Sequence, residues 1–148
     1  MSKNLFVQIA YNQQHQLAVA KQVSDFIVTK KGENIKLLVV NNITKFFKGS
    51  KYKDRAATIL KEVLGILCRV CSKYRIALVF SGDANITSKG IPRPIGGTYL
   101  KHALIVIVHL RENQHWSFRA TLVKHQYVKT PKPAILYTKR IGKVLLLV

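Results

Sequence analysis

Between Thr44 and Arg55 the chain carries Lys45, Lys48, Lys51, Lys53 and Arg55, interleaved with Phe46, Phe47 and Tyr52. Ammonium and guanidinium groups neutralise phosphates, and aromatic faces stack on unpaired bases. The pattern therefore suits a single-stranded nucleic acid. The two phenylalanines have a second use, plugging the end of a strand into the core. A second tract, Ser81 to Gly97, holds Lys89 and Arg93 beside the hydrogen-bonding residues Asn85, Thr87 and Ser88. Its Gly90, Gly96 and Gly97 would let backbone approach a phosphate closely, and Gly96-Gly97 would alternatively serve a tight turn.

Other chemistries find little support. Cys68-Arg69-Val70-Cys71 is a lone C-x-x-C inside an apolar stretch with no second pair, so packing is expected there and no metal site. His15, His102, His109, His115 and His125 are scattered without ligand spacing. Trp116 reads as packing. Asp25, Glu62 and Glu112 form no close pair that would suggest acid/base catalysis. No catalytic residue and no cofactor is expected from these elements.

The 148 residues carry 25 Lys+Arg against 6 Asp+Glu, a net charge of +19, and 48% are hydrophobic. That length predicts one domain with a real core, residues 1–148. Few acids together with many aliphatics exclude an acidic disordered tail. No apolar run is long enough for a bilayer span, and the start, Met1-Ser2-Lys3-Asn4, has no apolar signal region. The expectation is a basic, cytoplasmic protein with a polyanionic partner, nucleic acid first, and no membrane.

The elements that must carry these residues follow from periodicity. Leu5 to Tyr11 and Ile35 to Val40 read as strands, as does Ile76 to Phe80, the last two apolar enough for burial on both sheet faces. His15 to Thr29 repeats apolar residues at helical spacing, closed by Lys30-Lys31-Gly32. Ala56 to Tyr74 is the longest helix, with Ile59, Leu60, Val63, Leu64, Leu67, Val70 and Cys71 facing the core. Ser81 to Gly97 reads as a long loop, and Thr98 to His102 as a helical turn. Ala103 to Leu110, Ser117 to Tyr127 and Ala134 to Thr138 are further strands, with a hairpin turn at Glu112-Asn113-Gln114. The apolar end, Val144 to Val148, must be buried, paired or left by a truncation. The fold class is α/β, a parallel sheet flanked by helices with a C-terminal antiparallel β extension. Both cationic loops then leave the carboxyl ends of parallel strands, on the rim where such sheets bind ligands.

Several segments resemble the RecA/RadA recombinase superfamily. Asn4 to Asn12 followed by His15-Gln16 is similar to the strand and helix ahead of the family's Walker B strand. Ile35 to Thr44 resembles that strand, and Tyr74 to Phe80 the strand entering the second DNA-binding loop. Arg93-Pro94-Ile95-Gly96-Gly97 with His102-Ala103 resembles the signature after that loop. Leu110-Arg111-Glu112 with Phe118-Arg119 fits the hairpin that follows, and Pro133 to Tyr137 the closing strand. The resemblance runs in order over nearly the whole chain but covers only the second half of the ATPase core. It implies a partial RecA-like core whose DNA-contacting loops are the two cationic tracts. It carries DNA contact onto Lys45, Lys48, Lys51, Tyr52, Lys53, Arg55, Lys89, Arg93, Gly96 and Gly97.

The nucleotide machinery departs from the family. No G-x-x-x-x-G-K-[ST] occurs in the sequence. The acid expected at the end of the Walker B strand is Asn41, which brings no negative charge to Mg²⁺. The family's Thr-Asn-Gln after the third strand is Ser81-Gly82-Asp83. The expectation is a non-catalytic DNA-binding protein, acting in recombination or repair or as accessory to a recombinase, with a recombinase or a second copy as further partner. Two alternatives stand beside it: one half of a split or hetero-oligomeric RecA-type ATPase, and a basic RNA-binding protein.

Overall fold

The computed structural model describes residues 5–30, 34–48, 53–86, 92–112, 117–130, 132–141 and 144–147. The chain separates into two compact units, Met1–Leu100 and Lys101–Val148.

In the first unit, helix α1 spans Gln13–Thr29 and α2 spans Lys53–Tyr74. Asn12 caps α1: its side chain accepts the His15 backbone N–H at 2.8 Å. Asp54 in the first turn of α2 and Lys73 in its last both oppose the helix dipole. The chain leaves α2 through Arg75, whose φ of 54° is left-handed, and the Ile76 N–H closes onto the Cys71 carbonyl at 2.8 Å. All seven residues expected on the core side of α2 are buried. One cluster joins Ile27 of α1 to Val70, Cys71 and Ile76, with Leu38 and Leu78 packed against it.

Those last two residues belong to strands β1, Leu37–Val40, and β2, Ala77–Phe80, which pair in parallel from Leu37↔Ala77 to Val40↔Phe80. The expected burial on both faces does not hold. Exposure alternates along both strands, and Leu37 and Val39 are each 55% exposed, Val79 50%. The helices cover one face, and among the described residues of this unit nothing covers the other.

The expected first strand is also corrected. Residues 5–11 hold no ladder hydrogen bonds, and Leu5, Phe6, Val7, Ile9 and Tyr11 are exposed. An apolar run becomes a strand only when its backbone finds a partner. This one instead runs beside α1, with Phe6 and Phe26 ring centroids 5.2 Å apart and Gln8 donating to Gln22 at 3.1 Å.

The expected long loop contains a hairpin: β3, Ala84–Ile86, is antiparallel to β4, Pro92–Pro94. Proline density suggests irregular chain, but a two-stranded ribbon has only edges, where proline is tolerated. Helix α3 follows at Gly97–Ala103, one residue earlier than the expected turn.

The second unit is a four-stranded antiparallel sheet in the order β5 (Ile107–Glu112), β6 (Ser117–Lys124), β7 (Lys132–Ile141) and β8 (Val144–Leu147). The apolar tail is thus paired, with Thr138↔Leu147 through Ile141↔Val144. The Lys124 ammonium donates to the carbonyls of Lys101 at 2.7 Å and Leu104 at 2.5 Å, closing the C-terminal end of α3. Among the described residues no helix is long and apolar enough to cross a membrane.

Candidate nucleic-acid interface

The parallel register brings the carboxyl ends of β1 and β2 side by side. The Ser81 N–H reaches the Val40 carbonyl at 3.0 Å, and the Ile43 N–H reaches the Ser81 carbonyl at 2.9 Å. The chain then turns through Asn41–Lys48, with the Phe47 N–H on the Thr44 carbonyl at 3.0 Å. Ile43 and Thr44 are fully buried anchors. The Thr44 hydroxyl donates to the Asn42 side-chain oxygen at 2.9 Å and accepts the Asp83 N–H at 2.9 Å. The Asp83 carbonyl in turn accepts the Ile95 N–H at 2.9 Å. One chain of hydrogen bonds therefore links the first cationic loop to both ends of the hairpin.

Lys45 and Lys48 stand exposed on this loop, and Phe46 and Phe47 between them are half-buried. The Lys45 ammonium lies 5.7 Å from the Phe46 ring centroid, a cation–π distance. Lys51 and Tyr52 lie outside the described residues. Lys53 and Arg55, expected in the loop, occupy the first turn of α2 instead, and Arg55 is exposed. The helix starts early because Asp54 favours a helix N-terminus.

Lys89 lies outside the described residues, and Arg93 pairs with Asn85 in the hairpin. Gly96 has a structural reason of its own. Its φ is +106°, and a Cβ there would stand 2.8 Å from Leu60 Cδ2. Gly97 opens α3.

At the Walker B position, Asn41 is exposed and its side-chain oxygen accepts the Ser81 hydroxyl. Among the described residues no group of three or more His, Cys, Asp or Glu is arranged to hold a metal. Cys71 is buried, and burial, reinforced by the neighbouring Cys68, pushes its thiol up to about 11. The two cysteines are free thiols. Glu62 pairs with Lys21 at 3.1 Å on the surface.

Two features escape a reading of residue types alone. In the second unit, Arg111 stands directly opposite Arg119, both exposed, with His109↔Thr121 nearby along the ladder. Like charges in opposed positions repel, and an anion between them relieves the repulsion. The hairpin is expected from sequence but its register is not, and register alone brings the guanidinium-bearing residues together. In the first unit, Gln13 and Gln16 hold the first loop from below, each donating to one of its carbonyls. Gln16 shares the core-facing stripe of Ala20 and Ile27, and a glutamine in such a stripe signals a buried acceptor.

Parallel strands with helices on one face, and loops leaving their carboxyl ends, define a partial RecA-like α/β core. The Rad51 family profile matches residues 1–126. The chain belongs to the Rad51 family. It is 29% identical over 134 residues to the DNA repair and recombination protein RadB of Archaeoglobus fulgidus, covering 87% of this chain and 59% of that protein. It is 28% identical over 122 residues to the DNA repair and recombination protein RadA of Aeropyrum pernix, covering 76% of this chain and 37% of that one. The chain thus spans less than two thirds of the length of either relative.

Proposed function

We propose that this chain is a cytoplasmic, non-catalytic DNA-binding protein of recombination or repair, contacting single-stranded DNA through its two cationic loops. The observation that carries the reading is the anchored first loop. Lys45 and Lys48 project to solvent from a turn whose Ile43 and Thr44 are fully buried and whose hydrogen bonds reach the hairpin. Fixed cations beside aromatic rings favour a flexible phosphodiester with exposed bases. A charge of +19 adds long-range attraction. The names of the RadB and RadA relatives agree with a role in recombination and repair. Against catalysis stand Asn41, engaged by the Ser81 hydroxyl, and Asp83, whose carboxylate would repel a γ-phosphate.

Fluorescence anisotropy with a labelled single strand at two salt concentrations tests the reading. Binding at ~50 mM salt that weakens steeply at higher salt is expected, and no binding at the lower salt overturns it. Replacing Lys45 and Lys48 together by alanine should weaken binding alike across sequences and lower the salt slope by about one unit for each phosphate no longer neutralised. Competition with RNA of the same length separates a basic RNA-binding protein from a DNA-binding one.

A second reading, one half of a split RecA-type ATPase, is favoured by one observation. The uncovered sheet face presents Leu37, Val39 and Val79. Apolar strands left open are an association liability, and a partner carrying the nucleotide-binding half would close the face. Co-purification of such a partner from the native host supports this reading; a well-behaved monomer under the same conditions argues against it.

A further inference from the structure

Two glutamines on the first turn of α1 reach under the cationic loop. Gln13 Nε2 donates to the Phe46 carbonyl at 2.7 Å, and Gln16 Nε2 donates to the Ile43 carbonyl at 3.0 Å. These carbonyls flank Thr44 and Lys45. Gln16 is only 6% exposed, which is costly for an amide unless it makes bonds that matter. Among the described residues its bonded end is the amide nitrogen, on the Ile43 carbonyl. Asn12 caps the same helix end, so the backbone that presents both glutamines is itself fixed.

We propose that Gln16, assisted by Gln13, is a positioning residue that holds the Asn41–Lys48 loop in the conformation that engages single-stranded DNA. The proposal rests on the reading of this loop as a nucleic-acid interface. Neither glutamine touches the ligand. They act by keeping the loop in one conformation, so the strand does not have to order it on binding. When only a fraction of molecules is competent, the apparent dissociation constant rises by the inverse of that fraction. A loop competent about a tenth of the time would bind about tenfold more weakly. The phosphates neutralised in the complex stay the same, so the salt slope stays the same. That separates the glutamines from the lysines, whose removal lowers the slope.

The test compares wild type with Gln16→Leu and Gln13→Leu by two readouts: anisotropy against a labelled oligothymidylate at several salt concentrations, and amide hydrogen exchange resolved over residues 43–48. Gln16→Leu is expected to raise the dissociation constant about tenfold at unchanged salt slope, reasoning from competent fraction. It should also lose amide protection at Thr44 and Phe47 while the amides of α2 keep theirs. Gln13→Leu, at a half-buried position, is expected to shift both readouts the same way by a smaller factor, and serves if Gln16→Leu does not fold. Wild-type affinity in a folded Gln16→Leu, or wild-type protection in its loop, overturns the proposal. A change confined to thermal stability overturns it as well. If wild type itself does not bind the strand, the reading of the interface fails. The exchange arm still decides the clamp, for unchanged loop protection refutes it and selective loss upholds it.

Discussion

Replacing Gly96 by alanine tests how the hairpin is seated on α2. The backbone at Gly96 has φ +106°, where an L-residue is strained by about 1–3 kcal/mol. The new Cβ would also stand 2.8 Å from Leu60 Cδ2. Real Cβ atoms do not approach so closely, so Leu60 must move. Leu60 is buried, and forcing extra volume into a packed core costs about 1–3 kcal/mol; the overlap is with a side-chain end, so the lower part of that range applies. Alanine returns about 0.4–1 kcal/mol by restricting the unfolded chain. The sum is a net loss of about 1–3.5 kcal/mol, a large share of the ~5–15 kcal/mol that holds a domain together. Urea titration followed by far-UV circular dichroism measures it. The double variant with Leu60→Ala separates the causes. The overlap should be relieved and appear as a favourable coupling, and the backbone strain should remain. A loss below ~0.5 kcal/mol, within the range of an ordinary surface substitution, would refute the seating.

Three further outcomes follow from the same structure. Thr44→Val removes a fully buried hydroxyl and leaves the Asp83 N–H without its acceptor, so a loss of about 1–3 kcal/mol is expected, read by urea titration. Arg75→Gly should stabilise by about 0.5–1 kcal/mol, because glycine takes the left-handed φ of 54° at the end of α2 without the Cβ penalty; an unchanged or lower melting temperature counts against that cap. Cys71 should resist DTNB at pH 8 until the protein unfolds, since burial holds its thiol up to about 11. The unfolded thiol ionises near 9.0 and the folded one near 11, so any stability carried by this group is intact below pH 9 and is lost as pH rises between those values. Rapid labelling of Cys71 in the native state would contradict its burial.

The helices are legible in sequence because their signals are local. Asn12 before a 3.6-residue apolar stripe marks the start of α1, and the spacing from Ile59 to Cys71 marks the buried side of α2. Three strands of the second unit are legible as apolar runs separated by turn residues. The run expected from Ala103 pairs only from Ile107, because Ala103 still belongs to α3, and the sequence leaves the pairing of the apolar tail as β8 open among three outcomes. Residues 5–11 mislead because their composition is that of a strand while strand formation depends on a ladder partner far away in sequence. The Pro- and Gly-rich tract misleads for the opposite reason, since its breakers sit on a two-stranded ribbon made only of edges. Lys53 and Arg55 read as loop residues because their charge outweighs the weaker helix-start signal of Asp54.

For the candidate interface, composition and order alone determined the +19 charge, the cationic tract after Val40 and the replacement of the strand-end acid by Asn41. These are properties of residue identity and need no coordinates. Tertiary structure decided which groups share one place: Thr44 bonded to Asp83, Gln16 beneath Ile43, Arg111 opposite Arg119. It also decided that Leu37, Val39 and Val79 face outward. The reason is that sheet register and long-range hydrogen bonds join residues 8 to 39 positions apart, and no local pattern along the chain records which of them will meet.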